Sequence, residues 1–227
     1  MSRTVLITGC SSGIGRCLAL GLRARGYDVI ATARRPTDVA ALAADGSFAL
    51  PLDLASSDSI AAAVAAVRAR TGDRLYALIN NGAYGQPGAV EDLSRAALRA
   101  QFETNVFGTH ELTARLLPLF RAAGAGRIIQ ISSLLGLVSL AYRGAYNASK
   151  HALEALSDTL RLELRGSGIH VALIEPGPIK TRFRDNSLEA FRAHIDTGPS
   201  AHRERYEGLL SRLLGQRGPL PFTLPPE

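Results

Sequence analysis

The sequence predicts an α/β fold, a single doubly wound parallel sheet with helices on both faces. Six short runs of β-branched or apolar residues lack polar alternation, as expected for strands covered on both sides. Helical patterns lie between them, and strands alternating with helices favour a parallel sheet. At 227 residues, 46% of them hydrophobic, the chain is long enough for one sizeable core, so residues 1–227 are expected to form a single domain.

The elements follow in order. "TVLIT" (4–8) reads as the first strand, and the Gly-rich "TGCSSGIG" leads into a helix over 13–25. "DVIAT" (28–32) and "FALPL" (48–52) are the next two strands. An Ala-rich helix spans 56–70, and "YALIN" (76–80) is strand four. A helix over 98–121 closes at Gly124, "RIIQIS" (127–132) is strand five, a helix over 144–165 closes at Gly166, and "HVALIE" (170–175) is strand six. Beyond Thr181, two further helices are expected near 187–194 and 201–214.

The first turn carries the first chemical signal. Gly9, Gly13 and Gly15, with Ser11, Ser12 and Ile14 between them, sit where a strand turns into a helix N-terminus, the place where backbone N–H groups and the helix dipole accept a pyrophosphate. The spacing is G-x-x-x-G-x-G. A unit that binds NAD usually places an acidic residue about twenty positions later, to accept from the ribose 2′-hydroxyl. Here that region reads Ala31, Thr32, Ala33, Arg34, Arg35. A guanidinium suits the 2′-phosphate of NADP(H), with Arg34 the leading contact and Arg35 the alternate.

A second signal is a lysine. The chain has 26 Lys and Arg together, of which only Lys150 and Lys180 are lysine, so Lys150 stands out four residues after Tyr146. On one helix this spacing puts both on the same face. A cation near a phenol favours the phenolate and moves the tyrosine toward a pKa useful for acid/base work at neutral pH.

"TGCSSGIG", "NNGA" after strand four, "FETNVFG", "ISS" at the end of strand five, "YNASK" and "EPGPIKT" together resemble the classical short-chain dehydrogenase/reductase (SDR) family, over nearly all of Thr4 to Thr181. The nearest likeness is to bacterial NADP-dependent aldehyde and ketone reductases related to the steroid and retinol dehydrogenase branch. The resemblance implies a Rossmann fold and a catalytic set of Asn105, Ser133, Tyr146 and Lys150. Ser132 is a second candidate serine, and the family's thirteen-residue gap to the tyrosine selects Ser133. It also implies cofactor contacts at Asp53 and Leu54, at Asn80, at Pro176, Gly177, Ile179 and Thr181, and at Tyr146 and Lys150. In this scheme Tyr146 exchanges the proton, Ser133 polarises the carbonyl, Lys150 holds the nicotinamide ribose, and Asn105 seats a water. Asp53 has a second reading as a helix cap near Ser56, and Asn105 as a polar residue in a helix kink. Where the family usually has Asn-Asn-Ala-Gly, this chain has Asn80, Asn81, Gly82, Ala83.

The implied activity is NADP(H)-dependent interconversion of a carbonyl and an alcohol by hydride transfer, on a small and apolar aldehyde or ketone. Residues 182–215 fall where the family places its substrate lid. The alternative is an NADPH-binding sensor without turnover, which would normally have lost part of the catalytic set. A homodimer or homotetramer is expected through the helices over 98–121 and 144–165, the second offering Ala148, Ala152, Ala155 and Leu156. The family continues past "PLPFTLPPE" into another helix and an edge strand. The sheet is therefore expected to show six strands rather than seven, with the chain incomplete or its tail disordered.

Composition narrows the remaining classes. The formal net charge is +6, but the arginines are scattered rather than gathered in a block, and with 6% aromatics and no tryptophan a nucleic-acid binder is not expected. No apolar run approaches eighteen residues, which speaks against membrane insertion. Cys10 and Cys17 suggest neither a disulfide framework nor a metal site, and suit a reducing cytoplasm.

Overall fold

The computed structural model describes residues 3–72, 74–216 and 223–226. Six strands form one parallel sheet: β1 (Thr4–Ile7), β2 (Asp28–Ala33), β3 (Phe48–Pro51), β4 (Ala77–Asn80), β5 (Gly126–Ile131) and β6 (Ile169–Ile174). Their order is β3-β2-β1-β4-β5-β6, so the chain reverses its direction of travel across the sheet between β1 and β4. The expected strands are all present, each within two residues of its reading. The expectation about the tail falls largely on residues outside the described ones. Of those described, Leu224 bridges to Ile179 and brackets it with two backbone hydrogen bonds, to Pro178 and from Lys180.

Both faces of the sheet are covered. On one, Leu6, Ile30, Leu78 and Ile128 pack with Ile60 and Val64 of α3 (Ser57–Thr71) and with Leu112, Leu116 and Phe120 of α5 (Thr109–Ala123). On the other, Val5, Ile7, Val29 and Ile79 meet Ala19 of α1 (Gly13–Ala24) and Leu42 of α2 (Pro36–Ala44). Helix α2 is absent from the sequence reading. It is nine residues long and opens on Pro36 at its first position, where a missing N–H costs nothing.

The helix expected over 98–121 is three pieces. α4 (Arg95–Phe102) starts on Ser94, whose hydroxyl accepts from Ala97 N at 3.1 Å. A π-helical segment, Glu103–Gly108, follows and leads into α5. Gly108 explains part of this local geometry, because a Cβ there would lie 1.7 Å from the Leu54 carbonyl oxygen. α6 (Gly144–Glu163) runs beside β6 and the turn Leu134–Gly136 that follows β5. After β6 come α7 (Phe183–His194) and α8 (Arg203–Leu213), joined by a separate apolar cluster of Phe191, Ile195, Tyr206 and Leu213. Tyr206 accepts from Ala89 N at 2.9 Å and donates to Asp92, which ties α8 to the loop before α4.

The contact at Gly108 makes a sharp expectation. Gly108→Ala should cost about 1–3 kcal/mol or more, because backbone and not a flexible side chain would have to move. A fall in the urea midpoint with an unchanged slope is the expected result, and an unchanged midpoint would show that the π segment tolerates a methyl group.

Candidate active site

The ends of β1 and β4 and the start of α1 form one wall of a cleft. Gly9 and Gly13 have φ of +69° and +56°, which an L side chain rarely adopts. A Cβ on Gly15 would fall 2.3 Å from the Gly9 carbonyl oxygen. Ser12 precedes α1 without capping it through its side chain, and the first turn has no acidic residue. The N–H groups of α1 are therefore open to an anion, and the backbone around them is bare enough to let one approach.

The cleft encloses about 360 Å³ and is lined by Gly9, Ser11, Arg34, Arg35, Asp53 and Leu54 among the residues expected from sequence. Arg34 and Arg35 are exposed on it. Asp53 accepts from Ala55 N at 3.0 Å, while Ser56 caps α3, so Asp53 is not the helix cap. Asp38, on the first turn of α2, stands on the same wall with Arg182 at 3.8 Å, and the sequence reading missed both. Tyr84 and, from α7, Asn186, Glu189 and Ala190 complete the far side.

Asn80 Nδ2 donates to Thr113 Oγ1 at 2.9 Å, on the α5 side of the sheet, and its Oδ1 is buried without a partner. Asn81 instead faces the glycine turn. Its Nδ2 donates to the carbonyls of Thr8 and Gly9 at 2.9 and 3.1 Å. Successive residues of a strand point to opposite faces, and that alternation is the signal that separates the two asparagines. The neighbouring glycine also has a reason. A Cβ on Gly9 would lie 2.7 Å from Gly82 Cα, so the two backbones are in direct contact.

Beyond the cleft, β5 and α6 bring Ser133, Tyr146 and Lys150 together. Ser133 stands near enough to the Tyr146 phenol to favour its charged form, and its Oγ accepts from Leu135 N at 3.1 Å. Lys150 is buried, with Nζ donating to the Ile131 carbonyl at 2.8 Å and lying 5.7 Å from the centre of the Tyr146 ring. Burial lowers the Lys150 pKa to about 8, against the pull of Glu154. Asn105, in the π segment, grips the loop after β4. Its Oδ1 accepts from Tyr84 N at 3.2 Å, and its Nδ2 donates to Tyr84 O at 2.9 Å and to Ser149 Oγ at 3.1 Å. The kink reading is therefore the geometry that presents Asn105 to α6.

Burial raises the pKa of Tyr146, opposed by Ser133 and by the charge of Arg143, while Lys150 donates to the Ile131 carbonyl. Arg143, which the sequence reading did not single out, thus acts on the phenol besides Lys150, whose Nζ lies 5.7 Å from the ring centre.

Thr181 touches Gly13, where a Cβ would meet its Cγ2 at 2.7 Å, and Thr181 Oγ1 accepts from Phe183 N at 3.2 Å. Pro176 O accepts from Leu134 N at 3.1 Å, which fastens the loop after β6 to the serine turn. Gly177 is open, and Ile179 faces the Leu224 bridge. Phe183 stands edge-on to Tyr146, with ring centres 5.3 Å apart, and its ring also lies against Gly85. No helix among the described residues is long and apolar enough to cross a membrane.

Comparison with known proteins agrees with this geometry. The pattern of the short chain dehydrogenase family matches residues 3–191. The uncharacterized oxidoreductase YbbO of Escherichia coli K12 is 51% identical over 186 residues, covering 82% of this chain and 69% of that protein. Rat 17-beta-hydroxysteroid dehydrogenase type 6 is 37% identical over 209 residues, 89% of this chain and 65% of the other. Among solved structures, a short-chain dehydrogenase from Streptomyces avermitilis superposes with a TM-score of 0.81 at 34% identity, over 99% of this chain and 80% of that one. A Burkholderia phymatum short chain dehydrogenase/reductase in complex with NAD superposes with a TM-score of 0.82 at 25% identity, over 96% and 80%. A six-stranded parallel sheet, an uncapped glycine turn at its reversal point, and relatives that share both its sequence and its fold make this chain a member of the short-chain dehydrogenase/reductase family of oxidoreductases.

Proposed function

We propose that the protein is an NADP(H)-dependent reductase or dehydrogenase that interconverts a carbonyl and an alcohol, with Tyr146 as the acid/base. The observation that carries this reading is the junction of β5 and α6, where the Ser133 hydroxyl meets the Tyr146 phenol on the helix face that also buries Lys150. The residues present fit a dinucleotide. The bare glycine turn and the open N-terminus of α1 suit its pyrophosphate, and Asp53 and Leu54 flank the adenosine end of the cleft.

When bound, the nicotinamide supplies the hydride. The chain's own residues do the rest. Ser133 donates to the substrate oxygen and polarises the carbonyl, and the protonated Tyr146 phenol delivers the proton that the resulting alkoxide needs. Burial favours the neutral phenol, which holds the donor ready for reduction. Lys150 would hold the ribose hydroxyls of the bound dinucleotide, and Asn105 fixes the Tyr84 loop against α6. The sensor reading is disfavoured because Asn105, Ser133, Tyr146 and Lys150 are all kept.

Arg34 and Arg35 support NADP(H), since two exposed guanidiniums outweigh Asp38, which Arg182 partly occupies. We further propose one domain with α7 and α8 as the lid over about 182–215, admitting an apolar carbonyl compound past Phe183. The two free cysteines suit a reducing cytoplasm, and burial pushes Cys10 up to about 12, which makes it inert. Ala148, Ala155 and Leu156 of α6 are exposed, which supports a two-fold contact there. Light scattering at micromolar concentration should give a dimer or tetramer, and a strictly monomeric mass would count against this contact.

The cofactor choice has a direct test. Arg34→Ala should raise KM for NADPH by roughly ten- to a hundredfold, from the loss of one charge-assisted contact, with little effect on NADH. Equal losses for both cofactors would remove Arg34 from the 2′-phosphate.

The chemistry has another. Tyr146→Phe should bind NADPH normally, by fluorescence, and lose about 10²–10⁴-fold in kcat for carbonyl reduction. Lys150→Arg should fold yet lose most turnover, because a wide guanidinium does not fit the buried space that Nζ fills. In the unaltered protein, reduction should decline as pH rises through about 8, where Lys150 gives up its charge. Near-normal turnover in Tyr146→Phe would remove the mechanism.

A further inference from the structure

After β6 the chain passes the glycine turn, where Thr181 packs so closely on Gly13 that a Cβ there would meet Thr181 Cγ2 at 2.7 Å. The next residue, Arg182, precedes α7 and lines the cleft of about 360 Å³ that Arg34, Arg35 and Asp38 also line. Its Nη2 lies 3.8 Å from Asp38 Oδ1. Asp38 is in turn tied to the arginine pair, because its N–H donates to the Arg35 carbonyl at 3.0 Å. Asn186, Glu189 and Ala193 of α7 line the same cleft, and their helical spacing from Arg182 makes this one face of the helix. The lid helix therefore borders the dinucleotide cleft as well as packing Phe183 on Tyr146.

The contact between Arg182 and Asp38 is a loose one. The pairs Arg16–Asp45, Arg70–Asp28 and Arg115–Glu111 close to 2.6, 2.7 and 2.8 Å, within hydrogen-bond distance, whereas 3.8 Å is outside it. The Arg182 side chain is 50% exposed, and an exposed pair at such a separation contributes little, so parting it costs little. Among the described residues, Arg182 has no other ion-pair partner, and Arg34 and Arg35 have none. The other carboxylates on the cleft stand apart from this end: Asp53 accepts from Ala55 N beyond β3, and Glu189 is about two turns along α7, roughly 10 Å of helical rise from Arg182.

We infer that Arg182 is a contact for the 2′-phosphate of NADP(H), supplied by the lid and shared with Arg34, and that Asp38 is the weaker anion it gives up when the dinucleotide binds. The inference rests on the NADP(H) reading and deepens it, by adding a cofactor contact from outside the β2–α2 turn. A phosphate group carries more charge than a carboxylate and three acceptor oxygens, and a guanidinium engages it through paired, charge-assisted bonds. Because Arg182 opens α7, the same contact draws the lid toward the cofactor. The lid should accordingly close on NADP(H) more firmly than on NAD(H).

The test measures binding rather than turnover, by calorimetry with NADP+, NAD+, 2′-AMP and adenosine. Arg182→Gln should weaken NADP+ and 2′-AMP by roughly tenfold and leave NAD+ and adenosine within about twofold. Arg182→Lys, which keeps the charge, should recover part of that loss. Asp38→Asn should tighten NADP+, and by a smaller factor once Arg182→Gln is present, since the competition for that guanidinium is then gone. Amide hydrogen exchange over residues 183–194 should slow more with NADP+ than with NAD+ in the unaltered protein, and equally with both in Arg182→Gln. A melting curve checks that each variant folds. If Arg182 serves only to clamp the lid to α2, Asp38→Asn should weaken binding as Arg182→Gln does, and both dinucleotides should suffer alike; that result overturns the inference. An NADP+ preference that survives Arg182→Gln also overturns it and leaves the NADP(H) reading standing. Unaltered protein that binds NADP+ no tighter than NAD+ overturns that reading, and the inference with it.

Discussion

The ends of β1 and β4 are clamped together by Thr8 and Asn81, and the rest of the site hangs from that clamp. Thr8 Oγ1 accepts from the backbone N–H of Asn81 and of Gly82, at 2.9 and 2.8 Å, while the Asn81 amide returns two bonds to the carbonyls of Thr8 and Gly9. Parallel strands diverge at the reversal point of a doubly wound sheet, and a polar group left there would be exposed to the cleft or buried unpaired. The clamp satisfies four backbone groups and holds Gly9 against Gly82. That contact in turn fixes where α1 begins, so its open N–H groups and the cleft beside them inherit their position from two side chains.

The same economy appears on the far side of the cleft. Asn105 does not face a vacant space; it staples the backbone of Tyr84 to Ser149 of α6, and Gln101 adds a bond from its Nε2 to Tyr84 O at 2.9 Å. The Tyr84 loop, the π segment and α6 are thereby one unit, with Tyr146 on it. Charge is distributed around that unit less evenly than a one-helix picture suggests. Lys150 gives a hydrogen bond to a carbonyl, and the charge of Arg143 acts on the phenol against burial, which is what keeps the tyrosine protonated.

Much of this was legible in the sequence, and the failures have physical causes. The six strands could be read because a sheet covered on both faces is written as uninterrupted apolar residues. The glycines of the first turn could be read because no other residue tolerates their φ values or contacts. Helix α2 escaped because Ala-rich turns of nine residues leave little periodicity to detect. That the side chain of Asn81, and not that of Asn80, turns to the glycine turn was not legible, because residue type alone does not say which face of the sheet a residue takes. The charge of Arg143 on the Tyr146 phenol was out of reach for a different reason: nothing in its local sequence marks it off from the other arginines.

The π segment also sets a phase. A turn of i→i+5 bonding holds more residues than an α turn, so α4 and α5 are rotated relative to what one continuous helix would give, by roughly 100° for each extra residue. That offset lets Ala97 and Gln101 bury toward the Tyr84 loop while Leu112, Leu116 and Phe120 bury toward the sheet. A chain shortened by one residue between 103 and 108 could still be wholly helical and wholly amphipathic, yet its two halves would ask to be buried in different directions. Spacing here is set by geometry rather than by chemistry, so a change of length in this stretch should cost more than a change of its exposed side chains.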